Sequence, residues 1–206
     1  MLGIENYKWH PQPSSIPIST RALKVADVSD SIVLDPFCGT GTLLIAAVTN
    51  HAEKAIGSDI EDWSFCIRPQ IKNWILSGSN KIELHWNVDA MDAIKQFKHD
   101  ILVTNPPHPF RIGCGKTYSA KRDTGMYTGQ LEKYWRHKLN KNNLMGKGTK
   151  TIAYVLRLVK IELEEGKRVI INLFKDSKGF NYQKYFDKYF IIKHLYGYFY
   201  EVVRAK

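Results

Sequence analysis

Asp35-Pro-Phe-Cys-Gly-Thr-Gly-Thr42 is the stretch on which the fold turns. It ends the β-branched run 31–35 and opens onto Leu43, Leu44, Ala46, Ala47 and Val48, an apolar face that predicts a helix from Thr42. A strand that hands over to a helix through Gly-X-Gly is an arrangement for holding a ligand. Gly39 and Gly41 let the backbone turn sharply and approach a bound group at a distance a Cβ would block. The first helical amides then face electron-rich groups of that ligand. The loop alone also suits a dinucleotide, but that motif needs a third glycine at position 44, which is Leu44. A phosphate-binding P-loop fits no better: Gly115-Lys116-Thr117 has its ending, while its first glycine falls on Phe110.

Outward from this loop, short apolar runs alternate with helical patterns, which predicts an α/β fold around a parallel sheet. Further strands are expected at 55–59, 82–86, 101–104 and 169–174, the last central by its continuous apolarity. Ile67, Ile71, Trp74 and Ile75 predict a helix with Pro69 near its start or at a kink. A clear amphipathic helix carries Ile152, Val155, Leu156, Val159 and Leu163, with Gly166 as its stop. Residues 181–188 suggest a short helix, and 190–203 two strands turning near Gly197. Residues 1–30 read as a lead-in to the first strand, within a single domain of 206 residues.

Composition narrows the function classes. No apolar run approaches the roughly 20 residues of a membrane span, and the start of the chain lacks the basic and apolar parts of a secretory signal. Cys38, Cys66 and Cys114 are odd in number and have no zinc-type spacing, so a reducing cytoplasm is the expected compartment and no metal site is expected. The formal net charge of +10 is concentrated: residues 111–150 hold ten Lys or Arg against Asp123 and Glu132. That segment, an insertion at 108–148 without sustained periodicity, suits a polyanion partner through counterion release, or else is a solvated loop. Tyr118, Tyr127, Tyr134 and Trp135 among its charges either stack on bases or pack the insertion onto the core.

Two more acids stand at predicted strand ends. Asp59 is placed to accept hydrogen bonds from both hydroxyls of a ribose, and Asp89 to accept one from an adenine amino group; either can also be a turn or capping aspartate. Thr104-Asn-Pro-Pro-His108 closes the fourth strand. Pro-Pro cannot continue a ladder and forces a stiff exit. Such an exit either merely ends the strand or aims the Asn105 side-chain oxygen and the Pro106 carbonyl at one planar amino group, whose lone pair is then turned toward an incoming methyl.

DPFCGTGT followed by NPPH resembles the amino-group methyltransferases that act on nucleobases, and most of all the branch that modifies tRNA or rRNA guanine at N2 and carries a separate THUMP domain. His10-Pro-Gln-Pro-Ser-Ser-Ile-Pro17 is similar to the proline-containing lead-in of those enzymes. The resemblance implies a doubly wound, Rossmann-like sheet of seven strands, the last pair an antiparallel hairpin, with helices on both faces. It implies S-adenosyl-L-methionine held by Asp35, Phe37, Gly39, Gly41, Asp59, Asp89 and Ala90. Catalysis is expected at Asn105, Pro106, Pro107 and His108, with RNA held by His108, Phe110, Lys121, Arg122, Arg136 and Lys138. The family usually has Tyr, Phe or Trp where this chain has His108; an imidazole also stacks on a base, and Phe110 lies two residues on. RNA capture then falls to the basic insertion or to a partner protein. Three readings follow: an RNA amino-methyltransferase acting on tRNA rather than rRNA, at guanine N2 or adenine N6; a DNA adenine or protein glutamine methyltransferase; and a catalytically silent RNA-binding subunit of the same fold.

Overall fold

Strand β1, Ile32–Asp35, is an interior strand, third in order, of a seven-stranded sheet. The computed structural model describes residues 15–64, 67–107, 148–175 and 180–204. On one side of β1 the parallel strands β2 (Lys54–Asp59) and β3 (Ile82–Trp86) follow in turn. On its other side come β4 (Ile101–Thr104) and β5 (Arg168–Asn172), also parallel. The chain then forms an antiparallel pair, β6 (Phe190–Tyr196) and β7 (Phe199–Arg204), with β7 inserted between β5 and β6. The order is β3-β2-β1-β4-β5-β7-β6.

This order decides where a ligand can bind. The chain moves outward from β1 to β3, then crosses back to β4 on the far side of β1. Between β1 and β4 the connections diverge, and open α/β sheets bind ligands at such a switch point, beyond the carboxyl ends of the strands. Right-handed crossovers also fix the layers. Helices α1 (Ile16–Ala26), α2 (Thr42–Thr49), α3 (Pro69–Leu76) and α4 (Ala90–Gln96) occur in that order. Because β1 to β3 runs one way and β3 to β4 the other, α2 and α3 fall on one face and α4 on the opposite one.

Helix α2 is buried from Thr42 to Ala47, as its unbroken apolar sequence requires. Pro69 opens α3 in its first turn, where a missing N–H costs nothing. The lead-in expected over 1–30 is partly helical: α1 buries Ser19, Ala22, Leu23 and Ala26 at helical spacing and packs on α2. Arg168 donates to the Ala26 carbonyl (2.6 Å) and the Asp27 carbonyl (3.0 Å), capping α1 from β5. The predicted strand 169–174 starts and ends earlier, and Leu173 leaves the ladder while still donating its N–H to the Tyr198 carbonyl at 2.8 Å. Helices α5 (Gly148–Glu164) and α6 (Gln183–Phe186) match the expected helical segments, and Gly197 turns the hairpin at φ 61°.

The chain divides into two compact units, residues 1–105 with 158–206, and residues 106–157. The expected insertion over 108–148 falls outside the described residues up to position 147, after which Gly148 opens α5. Within the first unit, a continuous core joins Leu23 of α1, Leu44 of α2, Val33 of β1, Val103 of β4 and Ile170 of β5.

Candidate active site

The loop after β1 is held by hydrogen bonds that all converge at the strand tips. Asp35 is 1% exposed and its Oδ1 accepts the Phe37 N–H at 3.1 Å. Cys38 donates its N–H to the Ser58 carbonyl (3.0 Å), which stitches the loop to β2. Gly39 and Gly41 both sit in the left-handed region, at φ 49° and 87°. For Gly41 the need is double, since a Cβ there would stand 2.1 Å from Ile71 Cδ1 of α3. What crowds this glycine is a neighbouring helix, a constraint the sequence did not reveal.

Asp59, at the tip of β2, grips the same loop. Its Oδ2 accepts the Gly39 N–H at 2.9 Å and its Oδ1 accepts the Glu61 N–H at 3.0 Å. Burial pushes its carboxyl up to about 6, against the pull of those N–H groups and of the Trp63 side chain. Asp35 is pushed further, to about 8: burial dominates and the neighbouring Asp59 charge adds to it, while the Phe37 N–H offsets part. Thr104 also pulls it down, standing beside Asp35 without closing a full hydrogen bond. Among the described residues neither carboxylate forms an ion pair.

Asp89 is the N-cap of α4, its Oδ1 accepting the Met91 N–H at 2.9 Å, and Ala90 is buried as the first helical residue. Val88, just before it, donates its N–H to the Asp59 carbonyl at 3.1 Å, which keeps the exit of β3 beside the tip of β2.

Sequence reasoning missed three supports of this site. Gly57 leaves room for the loop, because a Cβ there would meet Leu44 Cδ1 at 2.6 Å and Cys38 Sγ at 3.0 Å. A glycine inside a strand is the available signal for such a close approach. Arg68 is 6% exposed; its Nε–H donates to Thr42 Oγ1 at 2.8 Å and its backbone N–H to the Thr40 carbonyl at 3.2 Å. Trp63 is 4% exposed and joins the hydrogen bonds on Asp59. Nothing local in the sequence marks Arg68 or Trp63.

The strand carrying Asn105 adjoins this loop. Leu102 of β4 pairs with Leu34 of β1, and Asn105 is the residue after Thr104, which stands against Asp35. The structure thus brings Asp35, Phe37, Gly39, Gly41 and Asp59 together by hydrogen bonds and sets Asn105 one residue from a neighbour of Asp35. Pro106, in the second unit, is buried and Pro107 half-buried. His108, Phe110, Lys121, Arg122, Arg136 and Lys138 lie outside the described residues, as do residues 10–14 of the lead-in. Among the described residues no cluster of His, Cys, Asp or Glu could hold a metal, and no helix is long and apolar enough to cross a membrane.

A sheet of this order, with a glycine loop after β1 and acids at the tips of β1 and β2, defines a Rossmann-like methyltransferase dependent on S-adenosylmethionine. The chain belongs to the UPF0020 family, described as an RMKL-like methyltransferase domain, whose model matches residues 18–174. It is 36% identical over 110 residues to a tRNA (guanine(10)-N2)-dimethyltransferase of Methanocaldococcus jannaschii, covering 48% of this chain and 30% of that protein. The chain therefore spans less than a third of the length of the curated relative it matches. Among solved structures, TrmN from Thermus thermophilus aligns over 97% of this chain and 52% of its own, with a TM-score of 0.52 and 17% identity, a likeness of fold.

Proposed function

We propose that the chain transfers a methyl group from S-adenosylmethionine to the exocyclic N2 amino group of guanine in tRNA. The observation that carries this reading is the place of Asn105, which directly follows Thr104, the β4 neighbour of Asp35, at the point where the sheet order reverses. The match to a tRNA guanine-N2 enzyme of M. jannaschii supports the substrate class.

The residues present fit the methyl donor. Asp35 and Asp59 are buried acids that burial raises above the usual carboxylate range, and the donor carries positive charge. Its sulfonium supplies an already activated methyl. The chain's own task is orientation and exclusion of water. Asp59 holds the loop through Gly39 and Glu61, and in this reading its carboxylate also receives the ribose hydroxyls. In this reading Phe37, Gly41 and Ala90 complete the cofactor set, and Asp89 accepts from the adenine amino group. Asn105 Oδ1 and the Pro106 carbonyl accept the two N–H groups of the target amine. With the donor bound, the amine lone pair, kept out of the ring plane by these two acceptors, would be turned toward the methyl, the N–C bond forming as the S–C bond breaks and the nitrogen's proton passing to water. Pro107 stiffens that exit, and His108 with Phe110 stack on the base. No strong general base is required.

Lys121, Arg122, Arg136 and Lys138 are the RNA-backbone contacts in this reading, with a partner protein adding recognition, in the cytoplasm. The deciding experiment is transfer of radiolabelled methyl into separated tRNA, rRNA and DNA, followed by nucleoside analysis. N2-methylated guanosine in tRNA is expected; label confined to DNA or to protein glutamine, or none at all, overturns the reading.

A further inference from the structure

Among the described residues, three of the buried polar atoms without a hydrogen-bond partner lie at the carboxyl ends of the strands: Ser58 Oγ on β2, Thr104 Oγ1 on β4 and Asn172 Oδ1 on β5. Asn172 is the most telling. It interrupts the apolar run of a central strand, after Val169, Ile170 and Ile171, each fully buried. Asparagine is a poor strand former, and a buried amide oxygen left without a donor costs about 1–3 kcal/mol. No packing need explains it, because Phe199, its partner on β7, is apolar. Register explains its place: Thr104 pairs with Ile171, so Asn105 and Asn172 are the next residues on adjacent parallel strands.

We propose that Asn172 is a second amide of the substrate site, accepting a hydrogen bond from the ring N1–H of the target guanine. This rests on the guanine reading above. The geometry suits it, because an acceptor next to the one that receives the amine meets the atom next to the amine. In guanine, N1 beside the 2-amino group carries a proton; in adenine, N1 beside the 6-amino group carries only a lone pair. An amide oxygen here therefore admits guanine and repels adenine, and an unpaired buried acceptor is the state that discriminates most strongly.

The test uses the tRNA that the wild-type chain methylates, with the target mapped by mass spectrometry, and the same RNA with 2-aminopurine ligated at that position. 2-Aminopurine keeps the 2-amino group but carries no proton on N1. The wild type is expected to favour guanine in kcat/KM by about 10–100-fold. Asn172→Leu should shrink that ratio to within about threefold, and Asn172→Asp, which keeps the acceptor, should retain it. S-Adenosylhomocysteine affinity should stay within about twofold in both, and Asn172→Leu should melt no lower than the wild type, since the orphaned oxygen is gone. If Asn172→Leu does not fold, Asn172→Ser, too short to reach the base, is expected to lose the ratio in the same way. An undiminished ratio in the folded variant overturns the inference alone, whereas a wild-type product on adenine N6 overturns the proposed function as well. No product in any RNA overturns the proposed function, and this inference with it.

Discussion

The two ends of the sheet treat buried polar groups in opposite ways. At the amino ends of the strands the strong groups are paired, Glu162 Oε1 by an ion pair without a hydrogen bond. His99 Nε2 lies 2.6 Å from Glu162 Oε2 with both side chains fully buried, its Nδ1 lies 2.7 Å from the Phe97 carbonyl, and Lys167 approaches Glu162 Oε1 at 3.5 Å. Asp100 Oδ2 accepts the Ile32 N–H at 2.8 Å, and Arg168 pairs with Glu201 at 2.9 Å. At the carboxyl ends two carboxylates are buried beside one another and raised, and a serine, a threonine and an asparagine lack partners. The first end is closed by the protein's own pairs; the second leaves polar atoms that the proposed site would use. Sites that bind charge are where strain and unmet hydrogen bonding are retained at the expense of stability.

The sharpest way to separate the two ends is by what a substitution removes. Asn105→Ala should lower kcat by at least about 1,000-fold while leaving S-adenosylhomocysteine affinity within about threefold, since it removes contacts that orient only the amine. Turnover that survives would take Asn105 out of the site. At the paired end the effect should be on stability instead. Glu162→Ala should cost about 3–5 kcal/mol in urea unfolding, because it strands His99 in the core, whereas replacing His99 and Glu162 together by Leu should cost far less. Equal losses in the single and double variants would mean the pair is not what anchors that end.

A smaller effect concerns pH. Unfolded Asp35 titrates near 3.8, whereas in the fold burial raises it to about 8, so across that window the folded chain holds a proton the unfolded chain has lost. The contribution of Asp35 to stability is therefore full below about pH 4 and declines as pH rises toward 8. Asp35→Asn lacks this decline, and its stability relative to wild type should rise by on the order of a few kcal/mol between pH 4 and pH 8. Parallel urea-unfolding changes in the two proteins would show that Asp35 is not held out of water.

Much of this architecture was legible in the residues themselves. Parallel strands show as short β-branched runs, and Asp35 to Thr42 and Asn105 to Pro107 show as breaks that only a tight turn or a stiff exit permits. Helix α1 was read as lead-in because its buried stripe is mostly small, Ser19, Ala22 and Ala26, and Pro17 suggests extended chain. Helix α4 has seven residues, too few for a period to declare itself, and Asp89 could be read there as cap or ligand without it. Contacts across distant parts of the chain were beyond reach. That Gly41 must spare Ile71, that Arg68 holds Thr42, and that His99 finds Glu162 63 residues away all depend on which helix lands on which strand.

The central claim is that the unfinished end of the sheet is a binding site for the methyl donor. Isothermal titration of the intact chain with S-adenosylmethionine tests it most directly. One site per chain is expected, with Asp59→Ala weakening it at least about tenfold through loss of the carboxylate that grips Gly39 and is proposed to receive the ribose. No binding by the wild type, or the same affinity in Asp59→Ala, would contradict the account.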